Sequence, residues 1–210
     1  MKNIAIFASG GGSNFQAIHQ YIKQGKILGR IILVISNNSN SGAIKYAENN
    51  NISTLIINKF LYPDVAEYNR LLINELSENS IDIIVLAGYM KLLPVDIVRA
   101  YHNCILNIHP ALLPKFGGKG YYGIKVHEAV ILSGEKESGA TVHFVDEEYD
   151  CGEIISQEKV LVMDGDTPKI LAKRVLEVEH RLYPEVVKAF CENRIIWENN
   201  QPKIEVKIEN

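Results

Sequence analysis

Asn107 and His109 stand two residues apart at the end of a short apolar run and are followed by Pro110. Residues two apart in a strand lie on the same side, so both side chains point to one face. There an amide can hold a developing oxyanion while an imidazole moves a proton. A lone histidine at a strand end is structural at least as often as catalytic. The glycine-rich segment 115–123 favours the catalytic interpretation, because it is typical of a loop that closes over a site.

An acidic turn, Asp-Glu-Glu-Tyr-Asp-Cys-Gly, occupies positions 146–152. Taken alone, such a turn is typical of a solvated surface. If Asp150 lies beside an imidazole, however, its carboxylate can orient the ring and raise its pKa. His143, in the strand that leads to this turn, is expected just behind such a site.

A run of small residues, Ser-Gly-Gly-Gly-Ser-Asn, fills positions 9–14 between a predicted strand and a predicted helix. Glycines let the backbone approach a ligand closely, and the free amides at a helix start favour an anion. The run is neither a dinucleotide fingerprint, since position 15 is Phe, nor a P-loop. Two interpretations stay open: a phosphate site, or a tight turn with a serine cap.

A fourth segment, Leu-Ala-Gly-Tyr-Met-Lys at 86–91, also follows a predicted strand. Gly88 permits close backbone approach, and residues 90–93 can line an apolar slot. An apolar turn of this kind is more often core than pocket.

The elements that position these segments form a regular alternation. Apolar runs predict five strands, and amphipathic segments between them predict helices; the runs lie at 4–8, 31–35, 54–57, 81–87 and 104–108. This pattern indicates a doubly wound α/β fold with a mostly parallel sheet and helices on both faces. The C-terminal part predicts two antiparallel strands at 141–145 and 154–162, a helix over 168–192 that Pro184 kinks or splits, and a hairpin turning at 199–202. We expect one domain over residues 1–210.

Composition narrows the classes of function. The chain has 22 basic and 25 acidic residues, a formal net charge of −3, and no basic block, which argues against a nucleic-acid partner. No apolar run is long enough for a membrane span or a secretory signal. Three widely spaced cysteines argue against disulfides, and no histidine spacing fits a metal ligand set. The expectation from composition is a soluble, cytoplasmic protein without disulfides and without a metal.

Taken in their order along the chain, the four segments resemble those of the folate-dependent formyltransferases. The likeness extends from residue 4 to about 190, and its most specific part is Asn-Ile-His-Pro-Ala-Leu-Leu-Pro at 107–114. The Gly-Gly-Ser-Asn loop narrows it to members that act on a phosphorylated substrate. The resemblance implies that the formyl group of 10-formyltetrahydrofolate, a co-substrate, passes to the amine of 5-phosphoribosylglycinamide in purine (IMP) biosynthesis. It also implies direct attack through a tetrahedral intermediate.

The same resemblance implies a role for each matching residue. Asn107, His109 and Asp150 would be catalytic: Asn107 would bind the formyl oxygen, His109 would manage protons, and Asp150 would support His109. The substrate phosphate and ribose would be held by Gly12, Ser13, Asn14 and Glu179. The folate slot would contain Met90, Lys91, Leu92, Leu93, Val145, Glu147 and Glu148.

Some positions depart from the family pattern, and other functions remain to be weighed. The loop after Lys115 is about four residues longer than usual, Val65 stands where some members have Arg, and Lys91 replaces a common Arg. A member that formylates methionyl-tRNA would need a further C-terminal domain, and a formyltetrahydrofolate hydrolase usually carries a further N-terminal one. A non-catalytic sensor of phosphorylated ligands would not need Asn107, His109 and Asp150 together.

Overall fold

The computed structural model describes residues 1–206, which form two compact units, Met1–Leu106 and the chain from Asn107 onward. The strands are β1 (Lys2–Phe7), β2 (Gly29–Ser36), β3 (Ser53–Ile56), β4 (Ile83–Leu86), β5 (Ile105–His109), β6 (Glu137–Phe144), β7 (Ile154–Leu161), β8 (Ile195–Glu198) and β9 (Gln201–Ile204). The helices are α1 (Ser13–Lys23), α2 (Gly42–Asn49), α3 (Val65–Glu78), α4 (Val95–Ala100), α5 (Ile124–Leu132) and α6 (Pro168–Cys191).

Strands β1 to β7 form a seven-stranded, mostly parallel sheet, which confirms the predicted fold class. In the first unit the strand order is β3-β2-β1-β4, and every pair in it is parallel. Strands β1 and β4 are buried along nearly their whole length, as continuous apolar runs predict. The loops after β1 and β4 therefore leave the same edge of this part of the sheet, where α/β proteins bind ligands.

The first unit also shows why its helices begin where they do. The Ser41 hydroxyl accepts a hydrogen bond from the Ile44 N–H at the start of α2, and the Asp64 carboxylate accepts two at the start of α3. Helix α1 has no such side-chain cap: its N-cap is Gly12, with φ of 73°. Because glycine has no side chain, the N-cap residue of α1 cannot accept a hydrogen bond from the first backbone amides of the helix.

In the second unit β6 and β7 pair antiparallel, as predicted, with an irregularity in register between Val142 and His143. Such a bulge changes the direction in which the following side chain points. Helix α6 begins at Pro168 behind a Thr167 cap and continues past Pro184 to Cys191, so the predicted split does not occur. The predicted C-terminal hairpin is confirmed: β8 and β9 pair antiparallel around Asn199 and Asn200, both at positive φ.

Thr141, buried in β6, holds the segment that follows His109. Its hydroxyl donates to the Ala111 carbonyl at 2.6 Å and accepts from the Leu113 N–H at 3.1 Å. The Gln157 amide donates to the same hydroxyl and to the Leu113 carbonyl. One threonine thus fixes the path of the chain just beyond the proposed catalytic strand.

We expect Thr141→Val to lower the free energy of unfolding by about 1–3 kcal/mol, because it leaves the buried Leu113 N–H without its acceptor. Urea denaturation followed by circular dichroism measures this change. Thr54→Val, in the half-buried β3, is the matched control and should have a small effect. Equal effects of the two variants would show that the Thr141 hydroxyl contributes no special stability.

None of the helices within residues 1–206 is both long enough and apolar enough to cross a membrane.

Candidate active site

Asn107, His109 and Asp150 lie together in the second unit, as the sequence predicts. The Asp150 carboxylate stands between the other two: one oxygen is 3.4 Å from the Asn107 amide nitrogen and the other is 3.5 Å from His109 Nδ1. Asn107 and His109 therefore share a side of β5, in agreement with strand alternation. His109 is buried, whereas Asn107 and Asp150 are partly accessible. The cluster can reach a ligand without being open to bulk water.

His143 completes this cluster, and its hydrogen bonds fix the orientation of Asn107. Its Nδ1 lies 2.7 Å from the Phe144 carbonyl, which can only accept, so Nδ1 carries the proton. In the neutral ring Nε2 is then an acceptor, and it receives the Asn107 amide N–H at 3.0 Å. The nitrogen of Asn107, rather than its oxygen, thus faces His143 and Asp150.

His109 is held in the opposite tautomer. Its Nε2 lies 2.7 Å from the carbonyl of Phe116, so this nitrogen donates, and in the neutral ring Nδ1 is bare toward Asp150. Protonation of Nδ1 would place an N–H against a carboxylate oxygen that is already 3.5 Å away. Asp150 can therefore stabilise the imidazolium form directly.

The acidic turn has a shape that holds the Asp150 carboxylate in place. Asp150 itself has a positive φ of 56°, and the Gly118 N–H donates to its Oδ2 at 2.9 Å. A Cβ at Gly152 would lie only 1.9 Å from the Phe144 carbonyl oxygen, so only glycine fits where the turn meets the end of β6. The Asp-x-Gly pattern in the sequence thus has a steric cause.

The electrostatics correct one expectation from the sequence. Burial lowers the pKa of His109, while the Asp150 charge and the Phe116 carbonyl raise it and His143 lowers it. Burial prevails, so the pKa of His109 lies below its usual value, and the expectation of a raised pKa is wrong for the protein without ligands. The predicted sign of the Asp150 contribution is nevertheless right.

The Asp150 carboxyl group has a lowered pKa. Burial raises the pKa of its carboxyl, but the interactions with His143, with His109 and with the Gly118 N–H outweigh this and leave it below its ordinary value. The group is thus ionised at neutral pH.

His127, in α5, is buried, and burial together with the charge of His109 lowers its pKa to about 4, so that ring is neutral.

In the first unit, the glycine-rich loop is shaped by close packing against α2. Gly12 has a φ of 73°, and a Cβ there would lie 2.8 Å from the Cβ of Ala43. The Ala43 N–H donates to the Gly10 carbonyl at 3.1 Å, which holds the loop against the start of α2. Ser13 and the buried Asn14 open α1 directly behind Gly12.

The other residues of the predicted binding sets occupy varied surroundings. Met90, Lys91 and Leu92 are exposed and Leu93 is buried, so this segment offers apolar surface to a ligand. In the second unit Val145 is half-buried, Glu147 and Glu148 are exposed in the acidic turn, and Glu179 is buried in α6.

Two further groups take part that sequence patterns did not identify, the Phe116 carbonyl and the Gly118 N–H. Both are backbone groups and carry no residue-type signal. Ser9 belongs to the run at 9–14, but no sequence pattern showed the partners of its hydroxyl. Ser9 donates to Asn37 and accepts from the Met90 N–H. Within residues 1–206, no group of three His, Cys, Asp or Glu side chains is arranged to hold a metal ion.

Comparison with known proteins places this geometry in context. A family model described as formyl transferase matches residues 2–187. Phosphoribosylglycinamide formyltransferase of Escherichia coli (strain K12) is 37% identical over 94% of this chain and 91% of its own length. The chloroplastic enzyme of that name from Arabidopsis thaliana is 50% identical over 98% of this chain and 71% of its own. The chain spans 63% to 71% of the length of three plant relatives.

A solved structure agrees with the sequence comparisons. Glycinamide ribonucleotide transformylase 1 from Symbiobacterium toebii superposes with a TM-score of 0.89 at 36% identity, covering 97% of this chain and 94% of that one. The family model spans Asn107, His109 and Asp150 as well as the glycine-rich loop. Because the match extends over far more than half of its residues, the chain belongs to the formyl transferase family.

Proposed function

We propose that the chain transfers the formyl group of 10-formyltetrahydrofolate to the amine of 5-phosphoribosylglycinamide, a step of purine biosynthesis. The observation that carries the proposal is the Asn107–His109–Asp150 cluster, in which one ionised carboxylate contacts both an amide and an imidazole. This arrangement suits a reaction that develops negative charge on one oxygen and must also move a proton.

The chemistry follows from the partners of each group. The substrate amine attacks the formyl carbon, a C–N bond forms, and the carbonyl electron pair moves to the oxygen. Asn107 then donates a hydrogen bond to that oxygen in place of its contact with Asp150. The Asp150 contact is 3.4 Å long, near the upper limit for a hydrogen bond, so little is lost when it is replaced. The attacking nitrogen, cationic once the C–N bond has formed, gives up a proton. When the intermediate collapses, the bond to the folate nitrogen breaks and that nitrogen takes up a proton.

His109 is the group that manages these protons. Even the neutral ring carries hydrogen on Nε2, so it can donate to the oxyanion once the Phe116 carbonyl has moved aside. To deliver that proton, the ring must first be protonated on Nδ1, next to Asp150. Burial works against this step and the carboxylate works for it. The Asp150 carboxylate, 3.5 Å from Nδ1, thus favours the protonated form of the His109 ring.

The transfer needs no formyl-enzyme intermediate. Cys151 lies in the acidic turn, but burial and the neighbouring Asp146, Glu148 and Asp150 raise the pKa of its thiol, which suppresses the nucleophilic thiolate. Burial likewise raises the pKa of Cys104. The substrate amine is itself a good nucleophile once deprotonated.

The binding groups follow the family assignments. Gly12, Ser13 and Asn14 hold the substrate phosphate at the amino-terminal end of α1, and Glu179 contacts the ribose. The residues that we assign to folate binding, as the family resemblance implies, are Met90, Lys91, Leu92, Leu93, Val145, Glu147 and Glu148. We place the enzyme in the cytoplasm, although the plant relatives are named chloroplastic.

Initial rates with both substrates test the proposal. Intersecting double-reciprocal lines and formation of the N-formyl product are expected, since both substrates bind before transfer. Release of formate without the glycinamide substrate would instead identify a hydrolase. Labelled formyl group retained on the protein in the absence of the amine would contradict direct transfer.

We expect Gly12→Ala to raise the KM for phosphoribosylglycinamide by about tenfold or more. The new methyl would meet Ala43, and the left-handed backbone costs about 1–2 kcal/mol for a non-glycine residue. Gly25→Ala at the other end of α1 is the matched control, because φ is 71° there but space is open. If both variants raised KM equally, backbone strain alone rather than the loop would explain the effect.

A further inference from the structure

Ser9 begins the glycine-rich run, and its position in the sequence suggests one more donor to a phosphate. Its hydrogen bonds point elsewhere. The Ser9 hydroxyl donates to Asn37 Oδ1 at 2.6 Å, and its oxygen accepts the Met90 N–H at 3.0 Å. Both the proton and an acceptor site of this hydroxyl are therefore already in use within the first unit.

The loop that receives this contact follows β4 and leads into residues 90–93. The Ser9 N–H donates to the Gly88 carbonyl at 3.1 Å, so Ser9 is bonded to both ends of the turn Gly88–Met90. Gly88 has a φ of 77°, which gives the turn its sharp reversal. The Ser9 hydroxyl fixes where that reversal ends.

The opposite side of the same turn is held by Tyr89. Its ring meets the ring of Phe7 edge to face, with centroids 5.3 Å apart, and its hydroxyl is 3.5 Å from that of Tyr68. The turn is thus clamped between a buried aromatic contact and the Ser9 hydroxyl. Met90 and Leu92, just beyond the clamp, keep their side chains exposed and available to a ligand.

Asn37 sets the direction of the Ser9 hydroxyl. Because its Oδ1 takes the hydroxyl hydrogen, a lone pair of the Ser9 oxygen is left facing the Met90 N–H. The backbone carbonyl of Asn37 in turn accepts a hydrogen bond from the Asn58 side-chain amide at 3.1 Å. The Ser9 hydroxyl oxygen thus connects the loops after β1, β2 and β4.

We infer that Ser9 is a positioning residue for the folate co-substrate and not a phosphate ligand, its hydroxyl fixing the segment Met90–Leu93 in its binding conformation. The inference rests on the proposed function, since it names the ligand of that segment. It predicts that two serines four residues apart in one loop serve different substrates: Ser9 the folate, Ser13 the phosphate.

The test compares the binding of tetrahydrofolate and of phosphoribosylglycinamide to the full chain by calorimetry. Ser9→Ala should weaken tetrahydrofolate binding about three- to tenfold, the range for one lost hydrogen bond, and phosphoribosylglycinamide binding by less than about twofold. Ser13→Ala should show the reverse pattern. Asn37→Ala, which leaves the hydroxyl undirected, should weaken tetrahydrofolate binding in the same direction.

Two controls separate positioning from general loss of stability. Ile27→Val trims a buried side chain just ahead of β2, at the other end of that strand from the loops, and Ser77→Ala removes an exposed hydroxyl. Neither should change either affinity, even where the melting temperature falls. If Ser9→Ala binds tetrahydrofolate as the unsubstituted chain does, or loses affinity for both ligands equally, the inference is wrong. Failure of the unsubstituted chain to bind tetrahydrofolate would overturn the proposed function instead.

Discussion

Replacing His109 with alanine should lower kcat by at least about 10²–10³-fold, the usual cost of losing one donor to the oxyanion. The variant loses the ring that carries a hydrogen on Nε2, while its other nitrogen, Nδ1, faces the Asp150 carboxylate. That Nε2 hydrogen is the proton proposed for transfer. The KM values should change much less, because no binding role is assigned to His109. Steady-state rates at saturating substrate measure the loss.

The control for this variant is His102→Ala, which removes an exposed histidine from a turn. It should leave kcat within about twofold, since surface changes are usually small in effect. Circular dichroism must show that the His109 variant is folded. A folded His109→Ala enzyme with nearly full kcat would remove His109 from the chemistry and leave Asn107 as the principal oxyanion donor.

Asp150→Asn should lower kcat by about tenfold or more and shift the pH dependence of the rate. The carboxylate charge raises the pKa of His109 against the opposing effect of burial. Without that charge the pKa of His109 falls further, so protonated imidazole becomes scarcer at neutral pH. The limb of the pH–rate profile that requires protonated His109 should therefore move to lower pH.

Asp146→Asn, in the same turn, changes the net charge equally and is the matched control. Its carboxylate accepts the Glu148 N–H and is not among the groups that shift the pKa of His109. Profiles of kcat against pH, with both substrates saturating, should shift for Asp150→Asn alone. An unchanged limb and unchanged kcat in that variant would make the acidic turn a folate-binding or solvated loop.

Periodicity and turn chemistry were enough to predict most of the fold. The buried parallel strands and the C-terminal hairpin, which turns at Asn199 and Asn200, each follow from local patterns that the structure confirms. Alternation in β5 was likewise enough to place Asn107 and His109 on one side. Of the two outcomes predicted for Pro184, a kink or a split, the split does not occur, because the residue is buried within α6 and packing holds the helix together. A helix so anchored tolerates the loss of one internal hydrogen bond.

What escaped prediction depends on long-range packing. The carbonyl of Phe116 determines which nitrogen of His109 carries the hydrogen. Phe116 has a positive φ, which no sequence pattern predicts. The net pKa shift of His109 is a balance between burial and charge, and sequence shows only the charge. The role of Ser9 depends on a contact with Met90, 81 residues away. Local signals identify which residues can react, and packing decides which partners they meet.

Trp197, the chain's single tryptophan, lies in β8 and stacks on Phe144, with centroids 5.7 Å apart and planes inclined by 13°. Phe144 follows His143 and supplies the carbonyl that fixes its tautomer. Fluorescence excited at a wavelength that tryptophan absorbs and tyrosine does not therefore arises from the second unit alone. Trp197 therefore serves as an intrinsic fluorescent probe that contacts Phe144, the residue next to His143 of the proposed catalytic cluster. The first unit, which has no tryptophan, gives no signal at that wavelength.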